Sequence, residues 1–359
     1  MSLSFAFFGS SLVSAYWNGA ATYYRGVLQA LAANGHRVTF YEPDAYDRQR
    51  HRDIPDPDWA KVVVYPATTD GVDRALDQAR DADLLVKASG VGVFDALLEA
   101  RLPSLKRSGA IAAFWDVDAP ATLDRIAANP GDPFRELIPA YDIVFTYGGG
   151  PPVVARYGGF GARVCVPIYN ALDPVTHHPA APDPRFACDL GLVANRLPDR
   201  ERRIDEYFLA VAAESRGREF VLAGAGWDDK QIPSNTRYVG HLYTADHNAF
   251  NASALAILNV SRDSMASNGY SPATRVFEAA GAGACIVTDA WDGIEMFFEP
   301  GREILVARSG PEVAEILARL TPDDAGRIGS AARARALAEH TYARRVRLVE
   351  DVLAGRVPS

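Results

Sequence analysis

Short apolar runs ending at glycine or polar loops, each followed by a stretch of helical periodicity, recur along nearly the whole chain and constrain its fold more than any other feature. Residues 3–9 are apolar, aromatic-rich and closed by Gly9-Ser10-Ser11, which reads as a buried strand. Residues 19–33 carry apolar side chains at helical spacing and stop at Asn34-Gly35, and 36–41 reads as the next strand. The alternation continues through 61–65, 71–80, 83–88, 94–101, 110–115 and 142–146. It resumes through 189–194, 202–213, 220–224, 237–240, 254–260, 272–282 and 284–289. Strands separated by helices pair in parallel, so an α/β fold is predicted. Between these two series fall Pro167, Pro174, Pro179, Pro182 and Pro184, in a stretch that neither a continuous helix nor a central strand holds. The expected organisation is an N-terminal domain 1–168, a proline-rich hinge 169–187 and a C-terminal domain 188–340. The end of the chain reads as helical with a break at His340-Thr341-Tyr342, and its last helix, within 341–359, is expected to cross back to the first domain.

Composition limits the partners. In 359 residues, 45 acids against 37 Lys and Arg give a net charge of −8, and no basic run forms a face for nucleic acid or anionic lipid. No apolar stretch approaches the roughly 20 residues of a membrane span, and no basic segment precedes the short apolar start, so neither membrane insertion nor export is expected. Cys165, Cys188 and Cys285 lack metal spacing and are too few for a disulfide framework, which points to a reducing cytoplasm.

The segment 259–289 carries the most chemistry. Ser271 before Pro272 combines an N-cap residue with proline at the first helical position, and a helix N-terminus attracts phosphate. Thr274 and Arg275 in that first turn add a hydroxyl and a guanidinium for a diphosphate. Glu278, a turn further on, is an acceptor-only group with two oxygens, suited to both hydroxyls of a ribose. The competing reading is structural: Ser271 only caps, Arg275 pairs with Glu278, and the small residues after them only pack. In the first domain, Asp116 and Asp118 follow an apolar strand; Asp116 is the first choice as general base for an acceptor hydroxyl, while Asp118 also suits an N-cap. His177-His178 has no carboxylate or cysteine at ligand spacing, so no metal site is expected. The aromatic residues Tyr16-Trp17 and Tyr23-Tyr24 offer faces on which a flat or sugar-like group stacks.

These motifs, in this order, resemble the GT-B glycosyltransferases, and more closely the branch related to the spore-maturation protein CgeB. The likeness extends over nearly the whole chain. Residues 10–25, with Asn18-Gly19-Ala20, are similar to the family's first loop, which approaches the donor phosphates. Asn170-Ala171-Leu172-Asp173 with His178-Pro179 resembles its hinge, and Asn195-Arg196-Leu197 its Gly-Arg-Leu, whose arginine faces the diphosphate. The resemblance implies two Rossmann-like parallel-sheet domains facing each other across a cleft. It also implies a nucleotide-sugar site made by Asn18, Gly19, Asn195, Arg196, Trp227, His241, Arg262, Ser271, Thr274, Arg275 and Glu278, with the nucleobase near Trp227 and His241. The implied activity is metal-independent transfer of a sugar from a UDP- or TDP-sugar, with no further cofactor, to an unidentified hydroxyl acceptor: a glycan, a protein, a lipid-linked precursor or a small metabolite. A 2-epimerase of the same fold and an inactive nucleotide-sugar-binding protein are the alternatives. Two departures stand out. Tyr270 occupies the place, eight residues before Glu278, where many retaining members carry a glutamate. The family's phosphate-binding lysine is also missing, with Arg200, Arg202 and Arg203 as substitutes.

Overall fold

A computed structural model describes residues 2–16 and 18–356; Met1, Trp17 and 357–359, the last being the tail of the expected crossing helix, lie outside the described residues. The chain divides into two compact units, Met1–Tyr169 with Tyr342–Ser359, and Asn170–Thr341.

The first unit is built on seven parallel strands: β1 Ser4–Phe8, β2 Arg37–Asp44, β3 Lys61–Pro66, β4 Leu84–Ala88, β5 Ile111–Asp116, β6 Ile143–Thr146 and β7 Cys165–Pro167. Their order is β3-β2-β1-β4-β5-β6-β7. Helices cover both faces, so the central strands are apolar on both sides, as the unbroken apolar run of β1 requires. Tyr23 and Tyr24 do not present stacking faces. Both are 1% exposed, and the Tyr23 hydroxyl donates to the Ile168 carbonyl (2.6 Å) while accepting from Trp115 Nε1 (2.9 Å). The helix Tyr342–Leu353 packs in this unit, its first tyrosine ring seated on Gly26 of the helix Ala21–Ala33, where a Cβ would lie 2.2 Å from the ring.

The second unit holds six parallel strands: β8 Cys188–Val193, β9 Phe220–Ala223, β10 Thr236–Tyr238, β11 Ala254–Asn259, β12 Ile286–Asp289 and β13 Leu305–Ala307. Their order is β10-β9-β8-β11-β12-β13. The expected helix over 202–213 is three pieces, Pro198–Ile204, a π-helical turn Asp205–Leu209 and Ala210–Glu214. The proline-rich segment is packed into this unit. Asn170 is fully buried and its amide donates to the Pro272 carbonyl (3.1 Å), while the Leu172 N–H donates to the His340 carbonyl (2.7 Å). Among the described residues no helix is long and apolar enough to cross a membrane.

Candidate functional site

In a parallel sheet the loops beyond the carboxyl ends of the strands collect polar groups, and in the second unit those loops carry a cluster of arginines. After β8, Asn195 accepts from the Ala225 N–H (2.9 Å), and its own carbonyl accepts from Arg200 Nη2 (2.6 Å). Arg200 is only 6% exposed, and its Nε has no hydrogen-bond partner. Burial pulls its pKa down to about 9, and the like charges of Arg275 and Arg262 add to the fall. Arg262, after β11, donates to Asp199 (2.5 Å), and Arg275 Nη1 donates to Asn259 Oδ1 (3.0 Å), whose amide is held by Thr288. Asp289, at the end of β12 and fully buried, accepts from Arg203 (2.6 Å) and from the N–H and hydroxyl of Ser261. The guanidiniums of Arg275 and Arg262 therefore lie close enough to act on the charge of Arg200.

Several expected residues are placed differently. Ser271 is not the N-cap: the helix runs Thr274–Ala282 with Ala273 at its cap, and the Ser271 hydroxyl donates to the Gly269 carbonyl. The start is instead fixed by Asn170, which bonds the Pro272 carbonyl and takes the Thr274 hydroxyl proton (3.0 Å), so that hydroxyl is engaged by protein. Arg196 is turned to Asp229 (2.7 Å) and Glu201 (2.9 Å), which raise its pKa, Glu201 most. Trp227 cannot stack on a base: it is 1% exposed in the core, with Nε1 donating to the Ala194 carbonyl (2.7 Å). His241 is exposed and meets the ring of Tyr243 edge-on (4.6 Å) on the wall of an open groove of about 530 Å³. Tyr243, 69% exposed, presents an aromatic face on that same wall. Leu242 lines both this groove and a small cavity bounded by Arg275 and Glu278, so groove, carboxylate and arginines follow one another along the strand ends.

Glu278 faces two histidines. His177 Nε2 lies 3.8 Å from Oε1 and His247 Nδ1 3.9 Å from Oε2. The carboxylate that the local spacing of His177-His178 lacked comes from a helix 101 positions away, while His178 turns its Nδ1 to the Pro179 carbonyl. Burial is the main cause holding the His177 imidazole below its usual pKa. Tyr270 has a left-handed backbone (φ 49°), and a Cβ at Gly293 would come within 2.1 Å of its ring.

In the first unit Asp116 does not present a free carboxylate. It is 0% exposed, Oδ1 accepts from Ser89 (2.7 Å), the Asp118 N–H (3.0 Å) and Thr122 (3.1 Å), and Oδ2 accepts from Tyr157 (2.5 Å). With its lone pairs so occupied it organises the loop rather than taking a substrate proton. Asp118 holds the N-cap position of the helix Ala119–Ala128 without a side-chain cap bond, half-buried. Asn18 is a loop clasp, accepting from Ser10 and donating to the Ser11 and Ser14 carbonyls. Gly19 is exposed, with open space where a Cβ would stand.

Two Rossmann-like parallel-sheet units, with polar loops gathered beyond the strand ends, define the class: the fold is GT-B. Residues 200–351 match a family model described as glycosyl transferase-like. The chain is 14% identical to sucrose-phosphate synthase from Thermosynechococcus elongatus, with 98% of each chain covered and a TM-score of 0.69. It is likewise 14% identical to Anabaena HepE in complex with UDP-glucose, covering 98% of this chain and all of that one, at a TM-score of 0.68. AviGT4, a glycosyltransferase involved in avilamycin A biosynthesis, is 19% identical over 98% of each chain, at a TM-score of 0.61. No curated protein sequence matches. The solved structures carry the fold, GT-B, and the likeness to glycosyl transferases lies in residues 200–351.

Proposed function

We propose that the C-terminal unit binds a UDP- or TDP-sugar and that the enzyme passes the sugar to a hydroxyl acceptor without a metal at the leaving diphosphate, as a cytoplasmic member of the branch related to CgeB. The observation that carries this is Arg200: a buried guanidinium with an unpartnered Nε, set among the like charges of Arg275 and Arg262. Burying such a group costs free energy unless an anion arrives, and a diphosphate supplies one. The same guanidiniums then stabilise the negative charge that grows on the departing diphosphate as the glycosidic bond breaks, the work a metal ion does in other transferases. Glu278 is the ribose anchor, and the groove walled by His241 and Tyr243 receives the base, because it and the cavity at Glu278 share Leu242 as a wall. The UDP-glucose complex of HepE supports a donor of this class. Asp118 is the carboxylate proposed for the acceptor hydroxyl, in place of the occupied Asp116. The acceptor is a hydroxyl compound, with neither nucleic acid nor a membrane-inserted partner proposed.

Calorimetric titration with UDP, TDP and GDP in EDTA tests the donor site. One nucleoside diphosphate is expected to bind, with the affinity weakened at least about tenfold in Arg275→Met and Glu278→Ala, the loss of one charged hydrogen bond. Binding that ignores both substitutions would move the donor elsewhere.

A further inference from the structure

We propose that His177, His247 and Glu278 form a site for a divalent transition-metal ion of the zinc class, built wholly within the C-terminal unit. One donor atom from each lies within 4.8 Å of the others. Around a metal with bonds of about 2.0–2.2 Å, tetrahedral ligands stand about 3.4 Å apart, so donor atoms within 4.8 Å of one another need draw together by at most about 1.4 Å, within the reach of side-chain rotation. Both imidazole rings already flank the carboxylate, their centroids 5.8 Å apart and their planes 27° from parallel.

Three independent features say that the cluster is built to hold something. The His177 side chain is 3% exposed, and its Nε2, which faces Glu278, has no hydrogen-bond partner. A buried ring nitrogen left in that state costs free energy that a metal bond would repay. The backbone of His177 is pressed onto the helix carrying Glu278 at Gly281, where a Cβ would stand 2.8 Å from the His177 carbonyl oxygen and 3.3 Å from its Cβ. His247 arrives from the other side, on the helix Thr244–Ser253. Finally, a cavity of about 20 Å³ lies against His247 and Glu278, lined also by Arg275 and Asn251. That is room for one water beside two of the three ligands, where it could complete the coordination of a bound ion.

The donor chemistry selects the ion. Two imidazoles and one carboxylate suit Zn²⁺, Co²⁺ and Ni²⁺, whereas Mg²⁺ and Ca²⁺ take oxygen ligands, and the Arg275 guanidinium on the cavity wall disfavours a cation held by charge alone. A bound ion would engage the oxygens of Glu278 and so compete with a ribose for them; that consequence, unlike the site itself, rests on the proposed donor reading. The ion is thus an antagonist of donor binding and takes no part in transfer.

The test is titration of chelator-stripped protein with Co²⁺, followed by its visible d–d bands, and with Zn²⁺ in competition with a chromophoric chelator. Wild type is expected to take up one equivalent of Co²⁺, displaced by Zn²⁺ and indifferent to Mg²⁺. His247→Ala and Glu278→Gln should each lose about tenfold or more in affinity, at least the loss that removing an outer partner of a ligand causes. His178→Ala, whose ring points away, should bind as wild type. His247 is partly exposed, so its variant keeps the fold, and thermal unfolding in EDTA separates loss of the ion from loss of structure. Absence of Co²⁺ bands in wild type, or bands that survive in both His247→Ala and Glu278→Gln, overturns the site. A UDP titration in EDTA keeps the two readings apart: UDP binding without Co²⁺ bands overturns the metal site alone, and bands without UDP binding overturn the donor reading alone.

Discussion

Replacing Arg200 with methionine should stabilise the free protein and cripple donor binding, a combination that a structural arginine would not give. The fall of its pKa from 12.5 to about 9 corresponds to roughly 5 kcal/mol spent on holding the charge in place, at about 1.4 kcal/mol per tenfold. Against this stands the hydrogen bond from Nη2 to the Asn195 carbonyl, worth about 1–3 kcal/mol as a charged donor to a buried acceptor. Methionine fills a similar volume and brings no charge, so the free protein should gain about 2–4 kcal/mol, or several degrees in Tm at about 2–4 °C per kcal/mol. UDP affinity should fall by about 10- to 150-fold, the equivalent of one charged hydrogen bond. The pH dependence fixes the sign. The folded-state pKa lies below the unfolded one, so the penalty is complete below about pH 9 and disappears as pH rises from about 9 to 12.5, where the unfolded chain holds a proton that the folded chain has released. In urea unfolding, the stability gap between variant and wild type should therefore be constant up to pH 8 and narrow above about pH 9. UDP binding to wild type should also weaken above about pH 9 relative to the variant, in which the nucleobase titrates identically. A variant that is less stable than wild type at pH 8 and binds UDP with unchanged affinity would make Arg200 a strut and remove the main support for the donor site.

Three further outcomes follow from the contacts described. Trp227→Phe removes a bond to the Ala194 carbonyl in the core and should cost about 1–3 kcal/mol in urea unfolding while leaving the UDP dissociation constant within about twofold; a large affinity loss would restore Trp227 to the site. Asp116→Asn takes the charge from a buried group with four donors and puts an NH₂ against one of them, so a loss of about 3–5 kcal/mol is expected, and unchanged stability would contradict the occupied carboxylate described above. Gly281→Ala drives a methyl into Leu172 Cδ1 (2.4 Å) and the His177 carbonyl (2.8 Å), which should destabilise by about 1–3 kcal/mol and weaken Co²⁺ uptake; an alanine variant with wild-type Tm would show that the segment is not pressed on the helix.

The strands that the alternation revealed, β10 excepted, run four to eight residues, long enough to stand out between helical stretches. The strands it missed, β7 Cys165–Pro167 and β13 Leu305–Ala307, are three-residue sheet edges, too short to show any period. Local signals also misled where a distant residue decides. The Ser271-Pro272 pair has the composition of a helix start, yet Asn170, more than a hundred positions earlier, sets that start two residues later. Arg200 could not be told from Arg202 and Arg203 by spacing, because only the fold shows that the first is buried and the second exposed. Trp227 carried no mark of which way its ring would point, and its burial follows from a core shared by the strands of the sheet and the helices packed on them. The acidic partner of His177 was invisible for the same reason: nothing local to the hinge supplies it. Glu278, Arg275 and Arg262 were legible because strand, loop and helix follow one another without interruption there.

The helix Tyr342–Leu353 is translated after the second unit but belongs to the unit whose strands are translated before it. On a ribosome the N-terminal sheet would emerge complete while the surface around Gly26, which the Tyr342 ring covers, stayed bare through the synthesis of the whole second unit. The second unit can close as soon as Thr341 is available, so of the two units the one begun earlier is completed later. A nascent chain arrested before Tyr342 would thus carry a settled second unit and an unsealed first one, and it is the first that would need a chaperone's shelter until the final helix docks.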